Sequence, residues 1–422
     1  MVLGPFCCPL VHRVFCFFLL AAFFSSHKAL ALNGLRPIGV SAASRALGGT
    51  GVATYHNHYE ATYKNPALMS FSPLESGQYQ ASFALTYGNF MPRVKATYGD
   101  DQEFKTPTNR ASGIFPSVLG IGKQLTSQVS FGLGAYGGGG GADYRDAPSV
   151  YRSKSRTAAV SLISGLSYRL FDNVSVGLSV NGTFVDVIAE NDSVTTGERT
   201  RTGGAASTLS FLFGASYKKD SLTFGATIGT PATARINDAR DIDEDGKLDN
   251  LLFTAIPLEA ALGISYSGSL LSLYADYRFL NWSKAEFLNS VGWKDQHVLA
   301  LGLSYGRENK LRMGMNLATK TVTDVFDQDG FATTKVSDLP LINLAGDAFV
   351  ATSGIGVTTR HYTLGSFHKV SDSLSIETAY VYMAQGSIER SGSYEVPTGR
   401  KEYGWRSEFF AQTLQVEMGY VF

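Results

Sequence analysis

The chain has 422 residues, of which 36 are basic and 36 acidic, so its formal net charge is zero. Charged residues make up 17% of the chain, below the roughly 25% of a typical soluble domain. The lack of a basic tract argues against a nucleic-acid-binding protein. No stretch of the body has the roughly 18 consecutive apolar residues of a membrane-spanning helix, and the 45 glycines favour a protein made of β-strands.

Residues 1–31 have the features of a secretory signal peptide. Arg13 precedes an apolar run at residues 14–24, and residues 29–31 (Ala-Leu-Ala) form a small-residue cleavage site. A buried N-terminal helix is the alternative interpretation. We expect this segment to be removed on export, and with it the cysteines Cys7, Cys8 and Cys16. The exported chain would then contain no disulfide and no reactive thiol.

Residues 32–77 lack the alternation of a β-strand. Residues 41–47 are small and compatible with a helix, which the glycines at residues 48–51 interrupt because glycine readily adopts positive φ. Residues 65–67 (Asn-Pro-Ala) then form a rigid turn. The segment is too long for a tail and too short for an independent domain. We therefore expect it to lie as a hatch, or plug, inside the lumen of a barrel.

Residues 78–422 show period-two alternation, which places apolar and polar side chains on opposite faces of each strand. A soluble sandwich alternates too, so the connections between strands decide the architecture. Short polar turns alternate strictly with long polar connections, and about fourteen strands lie between them, an even number typical of outer-membrane barrels. The sequence therefore predicts an all-β fold, a transmembrane antiparallel β-barrel with the hatch in its lumen.

A Gly-x-Ser-Tyr repeat ends four of the predicted strands just before a short turn. The copies end at Tyr168, Tyr217, Tyr266 and Tyr305. Each tyrosine shares the parity of the apolar face, so we expect its ring to lie at the headgroup level of a membrane. The terminal Phe422 resembles the C-terminal signal by which outer-membrane barrels are recognised for insertion.

Two motifs of the hatch segment are specific. Residues 48–53 read Gly-Gly-Thr-Gly-Val-Ala, and residues 64–68 read Lys-Asn-Pro-Ala-Leu. Together they resemble the outer-membrane long-chain fatty-acid and hydrophobic-compound transporters of the FadL and TodX type. The resemblance implies that the hatch and gating residues are Gly48, Gly49, Gly51, Asn65, Pro66 and Ala67. Asn65 is expected to tie the hatch to the wall; a plain turn is the alternative.

The resemblance also implies a function and a localisation. A monomeric channel in the cell outer membrane would take up a long-chain fatty acid or another hydrophobic ligand without energy input. The ligand would pass the external loops, displace the hatch and leave sideways into the outer-membrane lipid. The glycine run at residues 137–141 marks this wall gap or is a flexible loop. The loops at residues 188–204 and 232–255 are more polar than the family's capture loops, which leaves the ligand open.

Other chemistry has weaker support. Residues 241–249 resemble the start of a calcium-binding loop, but Leu252 stands where the closing acidic residue is expected, so calcium and a plain acidic loop both stay open. No catalytic or metal-binding pattern joins His56, His58, His297, His361 and His368. We expect no enzyme activity, no cofactor and no metal. A general diffusion porin, a surface adhesin and an outer-membrane hydrolase are the alternatives.

Overall fold

The computed structural model describes residues 35–90, 93–98, 102–105, 111–143, 154–192, 199–240, 249–289, 292–322, 359–396 and 399–422. The predicted signal peptide and residues 241–248 of the candidate calcium loop lie outside these ranges. Within the described part of the chain, no helix has the length and apolar character needed to cross a membrane.

Three short helical segments precede the first strand: α1 (Ala42–Ala46), α2 (His58–Lys64) and a 3-10 helix (Pro66–Phe71). Polar side chains start both α-helices. Ser41 accepts a hydrogen bond from the N–H of Ser44, and Asn57 accepts one from the N–H of Glu60. Such caps satisfy backbone donors that the first helical turn leaves free.

Eighteen strands follow in the described ranges: β1 (Tyr79–Phe90), β2 (Arg93–Tyr98), β3 (Gln102–Lys105), β4 (Ala111–Gln124), β5 (Val129–Asp143), β6 (Lys154–Phe171), β7 (Val174–Asp192), β8 (Arg199–Lys219), β9 (Leu222–Gly229), β10 (Ala232–Arg240), β11 (Asp249–Ile256), β12 (Glu259–Ser267), β13 (Leu271–Leu280), β14 (Gln296–Gly306), β15 (Lys310–Ala318), β16 (Arg360–Lys369), β17 (Leu374–Val396) and β18 (Gly399–Val421). A 3-10 turn (Trp282–Lys284) lies between β13 and β14.

Fourteen of these strands, β1, β4–β9 and β12–β18, form one antiparallel sheet. The sheet closes because β1 pairs with β18, from Gln80 opposite Val421 to Phe90 opposite Ala411. The hairpin β2–β3 continues the sheet beside β18, and β10–β11 form a separate two-stranded sheet. The predicted barrel of about fourteen strands is thereby confirmed. Its two ends are called here the short-turn end and the long-loop end.

The wall is apolar outside and polar inside. On β18, Val416 and Met418 are exposed, whereas the alternating Gln415 and Glu417 are buried. This is the reverse of a soluble sandwich and suits an outer face in contact with lipid. Of the repeat tyrosines, three are exposed on the outer face and one is half-buried: Tyr168, Tyr217, Tyr266 and, half-buried, Tyr305.

The glycine run at residues 137–141 lies within β5, paired with β6 from Gly137 opposite Val160 onward. The flexible-loop interpretation of this run is therefore wrong. On its other side, β5 pairs with β4 only between Tyr136–Val118 and Ser130–Gln124. Toward the long-loop end, the described residues of β4 still pair with β1, and those of β5 still pair with β6. They no longer pair with each other, so the ladder between β4 and β5 stops halfway.

The lipid-facing wall can be tested at Leu262, in the middle of β12, whose side chain is 62% exposed. The Leu262→Arg substitution should lower the free energy of unfolding by about 2–4 kcal/mol, because it places a charge at the bilayer midplane. Leu270→Arg, at the neighbouring short turn, should cost about 0–1 kcal/mol. Urea titrations of folding into lipid vesicles measure both values. Equal costs at the two positions would contradict the membrane placement.

Candidate functional site

The N-terminal segment, residues 35–77, lies inside the barrel and is called the plug from here on. Helix α1 packs against β15–β18, α2 packs against β4–β7, and the 3-10 helix packs against β5–β8. Nearly all residues between Arg36 and Ser70 are buried. The plug therefore contacts the wall on opposite sides of the lumen.

Glycines on the lumen side of the wall leave the space that the plug atoms fill. At each of these positions a β-carbon would lie within 3.0 Å of a plug atom: Gly120, Gly122, Gly132, Gly165, Gly177, Gly214, Gly225, Gly263, Gly302, Gly314 and Gly365. Contacts that short require either the plug or the wall to shift. These eleven of the 45 glycines thus serve the fit between plug and wall, a role that the sequence did not reveal.

The Gly-x-Ser-Tyr repeat has a second role that sequence reasoning missed. Its four glycines all belong to the set that faces the plug. Three of its serines bond the plug. Ser167 accepts a hydrogen bond from Ser70 (2.9 Å), Ser216 accepts one from Asn65 (3.0 Å), and Ser265 donates one to the Ala53 carbonyl (2.8 Å). The parity of the repeat is the signal that could have shown this, because glycine and serine stand opposite to the lipid-facing tyrosine.

The glycine motif at residues 48–51 places its backbone directly against the wall. Gly48 and Gly49 have φ of +69° and +90°, a region that favours glycine. A β-carbon on Gly48 would lie 2.5 Å from the Met315 carbonyl oxygen. The Gly48 N–H donates to Thr363 Oγ1 (3.0 Å), and its carbonyl accepts from Asn316 Nδ2 (3.0 Å).

Gly51 completes this motif at a carboxylate of the wall. The N–H groups of Gly51 and Val52 donate to the same Asp276 oxygen at 2.7 and 2.9 Å. Nearby, the Lys64 ammonium donates to the Gly49 carbonyl at 2.7 Å. Burial lowers the pKa of Lys64, so this ammonium depends on the backbone carbonyls that surround it.

Asn65 joins the two motifs to each other and to the wall. Its Nδ2 donates to the Val52 carbonyl (2.7 Å) and to Ser216 Oγ of β8 (3.0 Å), while its Oδ1 accepts from the N–H of Ala67 (3.1 Å). Pro66 begins the 3-10 helix, where no backbone donor is needed. Asn65 thus links the two motifs, but the six residues singled out from the sequence do not meet at one point, since Gly48 lies against β15 and β16 and Ala67 lies against β7.

Two carboxylates that sequence reasoning did not select hold the start of α1. The N–H of Ser41 donates to Glu60 Oε2 at 2.6 Å, and the N–H of Ala42 donates to Glu417 Oε2 of β18 at 2.7 Å. The free N–H groups at the start of a helix attract negative charge. Glu417 is therefore a wall anchor for the plug, as Asp276 is on β13.

A charged pair lies at the long-loop side of the plug. Arg36 Nη2 and Nε donate to the Glu259 carboxylate of β12 at 2.9 and 3.1 Å. The guanidinium lies 4.8 Å from the ring centre of Tyr63, which meets Tyr136 edge-on at 5.0 Å. This pair ties the first described residues of the plug to the wall.

Further toward the long-loop end, buried apolar side chains converge across the lumen. This outer cluster consists of Val185, Val187, Ala234, Ile236, Ala239, Phe253, Ala255, Leu280, Trp282, Ala285, Leu288, Trp293, Val298, Val322, Ile388 and Phe409. It joins the β10–β11 hairpin and the segment after β13 to opposite walls. The connection at residues 232–255 that looked polar in sequence thus contains a buried apolar face.

The plug histidines do not form a metal site. The ring of His58 bonds Tyr55 through Nδ1 at 2.8 Å, and burial lowers the pKa of His58 to about 4 and that of His56 to about 3. Both rings are therefore neutral at pH 7. Across the described ranges, no group of three histidine, cysteine or acidic side chains is placed to hold a metal ion.

No protein-family model and no curated protein matches the sequence. Solved structures match its fold. A FadL homologue from Pseudomonas aeruginosa has a TM-score of 0.69 at 14% identity, over 94% of this chain and 99% of that one. The toluene transporters TodX of P. putida (TM-score 0.59, 17% identity, 91% and 99% covered) and TbuX of Ralstonia pickettii (0.56, 16%, 89% and 98%) are also similar. The resemblance noted from the plug motifs is confirmed at the level of the fold.

The fit between wall and plug can be tested on β7. A β-carbon on Gly177 would lie 2.5 Å from the Ala67 nitrogen, whereas one on Gly182 meets nothing closer than 3.6 Å. Overpacking costs about 1–3 kcal/mol, so Gly177→Ala should raise the population of displaced plug by about tenfold. The rate of limited proteolysis within residues 35–77 of the folded, detergent-solubilised protein measures this. Gly182→Ala is the control, and equal rates in both variants would contradict the fit.

Proposed function

We propose that this protein is an outer-membrane channel for the uptake of hydrophobic small molecules, with long-chain fatty acids as the first candidate ligands. The observation that carries the proposal is a fourteen-stranded barrel whose lumen contains a bonded plug and an apolar outer cluster. Solved structures with this fold include channels named for toluene and for monoaromatic hydrocarbons. Localisation in the outer membrane follows from the same architecture.

The interior suits an apolar ligand better than a polar one. A general diffusion porin has a water-filled, polar lumen, whereas here buried apolar side chains reach from Val185 on β7 to Phe409 on β18. A hydrophobic molecule gains roughly 25 cal/mol for each Å² of apolar surface that it buries. The outer cluster therefore offers such a molecule a favourable first binding region on its path to the plug.

The plug would act as the gate. Its contacts with the wall are mostly single hydrogen bonds and close backbone packing, of the kind that Asn65 makes with Ser216. Each such bond contributes about 0.5–1.5 kcal/mol, so a ligand that disturbs several of them shifts the plug. We infer that Gly48, Gly49, Gly51, Asn65, Pro66 and Ala67 form the part of the plug that rearranges.

Release would occur sideways through the wall between β4 and β5. Pairing between these strands stops at Val118 and Tyr136, and the register of β4 against β1 shifts just beyond, between Ala84 and Leu85. Pro116 lies at this point and has no backbone N–H for a ladder. A lateral exit lets an apolar ligand enter the lipid without crossing water.

The gate can be tested with a reversible lock. Ser70 Oγ of the plug and Ser167 Oγ of β6 are 2.9 Å apart, so Ser70→Cys with Ser167→Cys should form a disulfide. Oxidation should abolish uptake of radiolabelled oleate by cells that lack their own fatty-acid channel, and dithiothreitol should restore it. Residues 32–422 contain no cysteine, so no native thiol in this part of the chain competes for the new disulfide.

The matched control for the lock is Ser366→Cys with Thr378→Cys. Their oxygens are 2.8 Å apart and join β16 to β17, so this disulfide stiffens the wall but leaves the plug free. Undiminished uptake by a fully oxidised plug lock would contradict the gate. Rapid swelling of vesicles in small sugars, with no oleate uptake, would support a porin instead.

The exit can be tested by extending the ladder between β4 and β5. Pro116→Val combined with Gly137→Val adds a backbone donor and two strand-forming residues, and should reduce oleate uptake several-fold without changing proteolysis of the plug. Pro231→Val, at an exposed proline before β10, serves as the control. Uptake equal to that of the wild type would argue against release at this seam.

A further inference from the structure

Two basic side chains lie on the outer face of the barrel, near the long-loop end of β14 and β16. His297 and Arg360 are both exposed. His297 lies nine residues from Gly306, and Arg360 lies nine residues from Lys369, the short-turn ends of their strands. A tilted strand crosses the hydrocarbon core of a membrane in about 9–11 residues. Both side chains therefore reach the far boundary of the apolar belt, where headgroups begin.

Three strands elsewhere in the wall carry apolar side chains at this depth. The residues ten or eleven positions from the short turns of β6, β7 and β8 are Val160, Phe184 and Leu209, and all three are exposed. A charge among acyl chains is costly, whereas a charge at headgroup level costs little. The basic residues of β14 and β16 thus mark a part of the perimeter where polar headgroups meet the wall.

Aromatic neighbours on β13 orient the ring of His297. Its Nδ1 is hydrogen-bonded to the Tyr277 hydroxyl at 2.6 Å, and its ring centre lies 5.4 Å from that of Phe279. When the phenol donates this bond, Nε2 carries the ring proton and can donate to a ligand. Tyrosine rings suit the boundary between acyl chains and headgroups. The ring of His297 is thus fixed at this boundary, with Nε2 available to a partner outside the protein.

The strand pairing determines how far apart the two basic residues lie. The N–H of His297 donates to Thr319 Oγ1 at 3.0 Å, just beyond the end of β15, and Arg360 lies opposite Leu317 of the same strand. One strand therefore separates β14 from β16, which puts the two backbones two strand spacings apart, about 10 Å. Long side chains from both strands can contact one lipid headgroup across this distance.

The surrounding segments add more positive than negative charge. Three exposed lysines adjoin the pair: Lys284, Lys294 and Lys320. Between Trp282 and His297, and along β15 and β16, the acidic residues are Glu286 and Asp295. Asp295 already accepts a hydrogen bond from the N–H of Ser283 at 3.0 Å. The patch therefore favours an anionic partner.

We propose that this patch, formed by His297 and Arg360 with the three lysines, binds the phosphate group of a lipid in the outer leaflet of the membrane. The long-loop end of such barrels faces outside the cell. A guanidinium binds a phosphate through two parallel hydrogen bonds, and each basic side chain near a membrane surface adds to the attraction for anionic lipid. The acyl chains would pack beside Tyr277 and Phe279.

The bound lipid would also act on a segment of the outer cluster. Lys284 and Lys294 belong to the connection that packs Trp282 and Trp293 into this cluster. A headgroup bound to these lysines and to the strands would hold the connection against the wall. This inference goes beyond the proposed function, because it requires the membrane placement of the barrel but not the uptake of any ligand.

The test measures binding of lipid A, a phosphorylated glycolipid, to the purified, detergent-solubilised protein by native mass spectrometry. Lipid A without its phosphates is the comparison ligand. The wild type should bind the phosphorylated form about tenfold more tightly. His297→Gln combined with Arg360→Gln should remove this preference, because charge-assisted hydrogen bonds to phosphate are lost, while Arg360→Lys should retain part of it.

The matched control is Lys219→Gln combined with Arg307→Gln. It also removes two exposed basic residues, but from the short turns, and should bind both lipids as the wild type does. A heat-dependent shift in gel mobility verifies that each variant is folded. If the double variant of the patch does not fold, Arg360→Lys and Tyr277→Phe decide, since Tyr277→Phe removes the bond that orients His297 and should weaken binding several-fold.

The outcomes distinguish a lipid site from other sources of phosphate and from the proposed function. Equal binding of both lipid forms by the wild type, or an equal loss in the short-turn control, would overturn the inference. So would displacement of lipid A by inorganic phosphate at the same concentration, because the site would then not select a lipid. Oleate uptake by the double variant should equal that of the wild type, and absence of uptake in the wild type would contradict only the proposed function.

Discussion

A plug buried inside a barrel exposes its backbone to a wall instead of water, and each of its N–H and carbonyl groups then needs a partner there. The short helices of the plug satisfy few of these groups internally, because helix ends leave donors and acceptors free. Polar wall side chains supply the rest, with Asp276 of β13 and Glu417 of β18 each binding N–H groups of the plug. This requirement accounts for the carboxylates on the lumen side of strands whose outer side is apolar.

The same wall must also leave room. Where the plug backbone approaches most closely, as Val52 does at Gly225 and Ala67 does at Gly177, the wall carries glycine. Glycine weakens a strand, but closure of the barrel pairs the strands on both sides over most of their length. In the observed position of the plug, its backbone groups thus meet polar side chains of the wall at some points and glycines at others.

The contacts inside the barrel suggest how binding could release the plug. The outer cluster lies against Leu35, next to Arg36 and its ion pair with Glu259. Beyond them, Tyr59 of the plug packs against Gly120 and Gly134 of β4 and β5, the two strands whose pairing stops halfway along the wall. An apolar region, an ionic contact and an unpaired seam thus follow one another through packed residues. In the proposed function, this is the order in which a ligand would meet them.

The amino-acid sequence by itself determined the barrel and the position of the plug. Side-chain alternation in a segment such as β18, and the contrast between short and long connections, are local properties that each strand carries in its own residues. The plug motifs also predicted a role for Asn65 and for the glycines at residues 48–51. Which wall residues they meet was a matter for the tertiary structure: Gly51 bonds Asp276 across 225 positions, and Arg36 bonds Glu259 across 223. Sequence periodicity cannot show which of such distant residues meet. The register in which the strands pair to close the barrel decides which side chains face the plug at the same depth. For the same reason, only the folded chain showed that the glycines of the Gly-x-Ser-Tyr repeat are clearances and that the run at residues 137–141 is a strand.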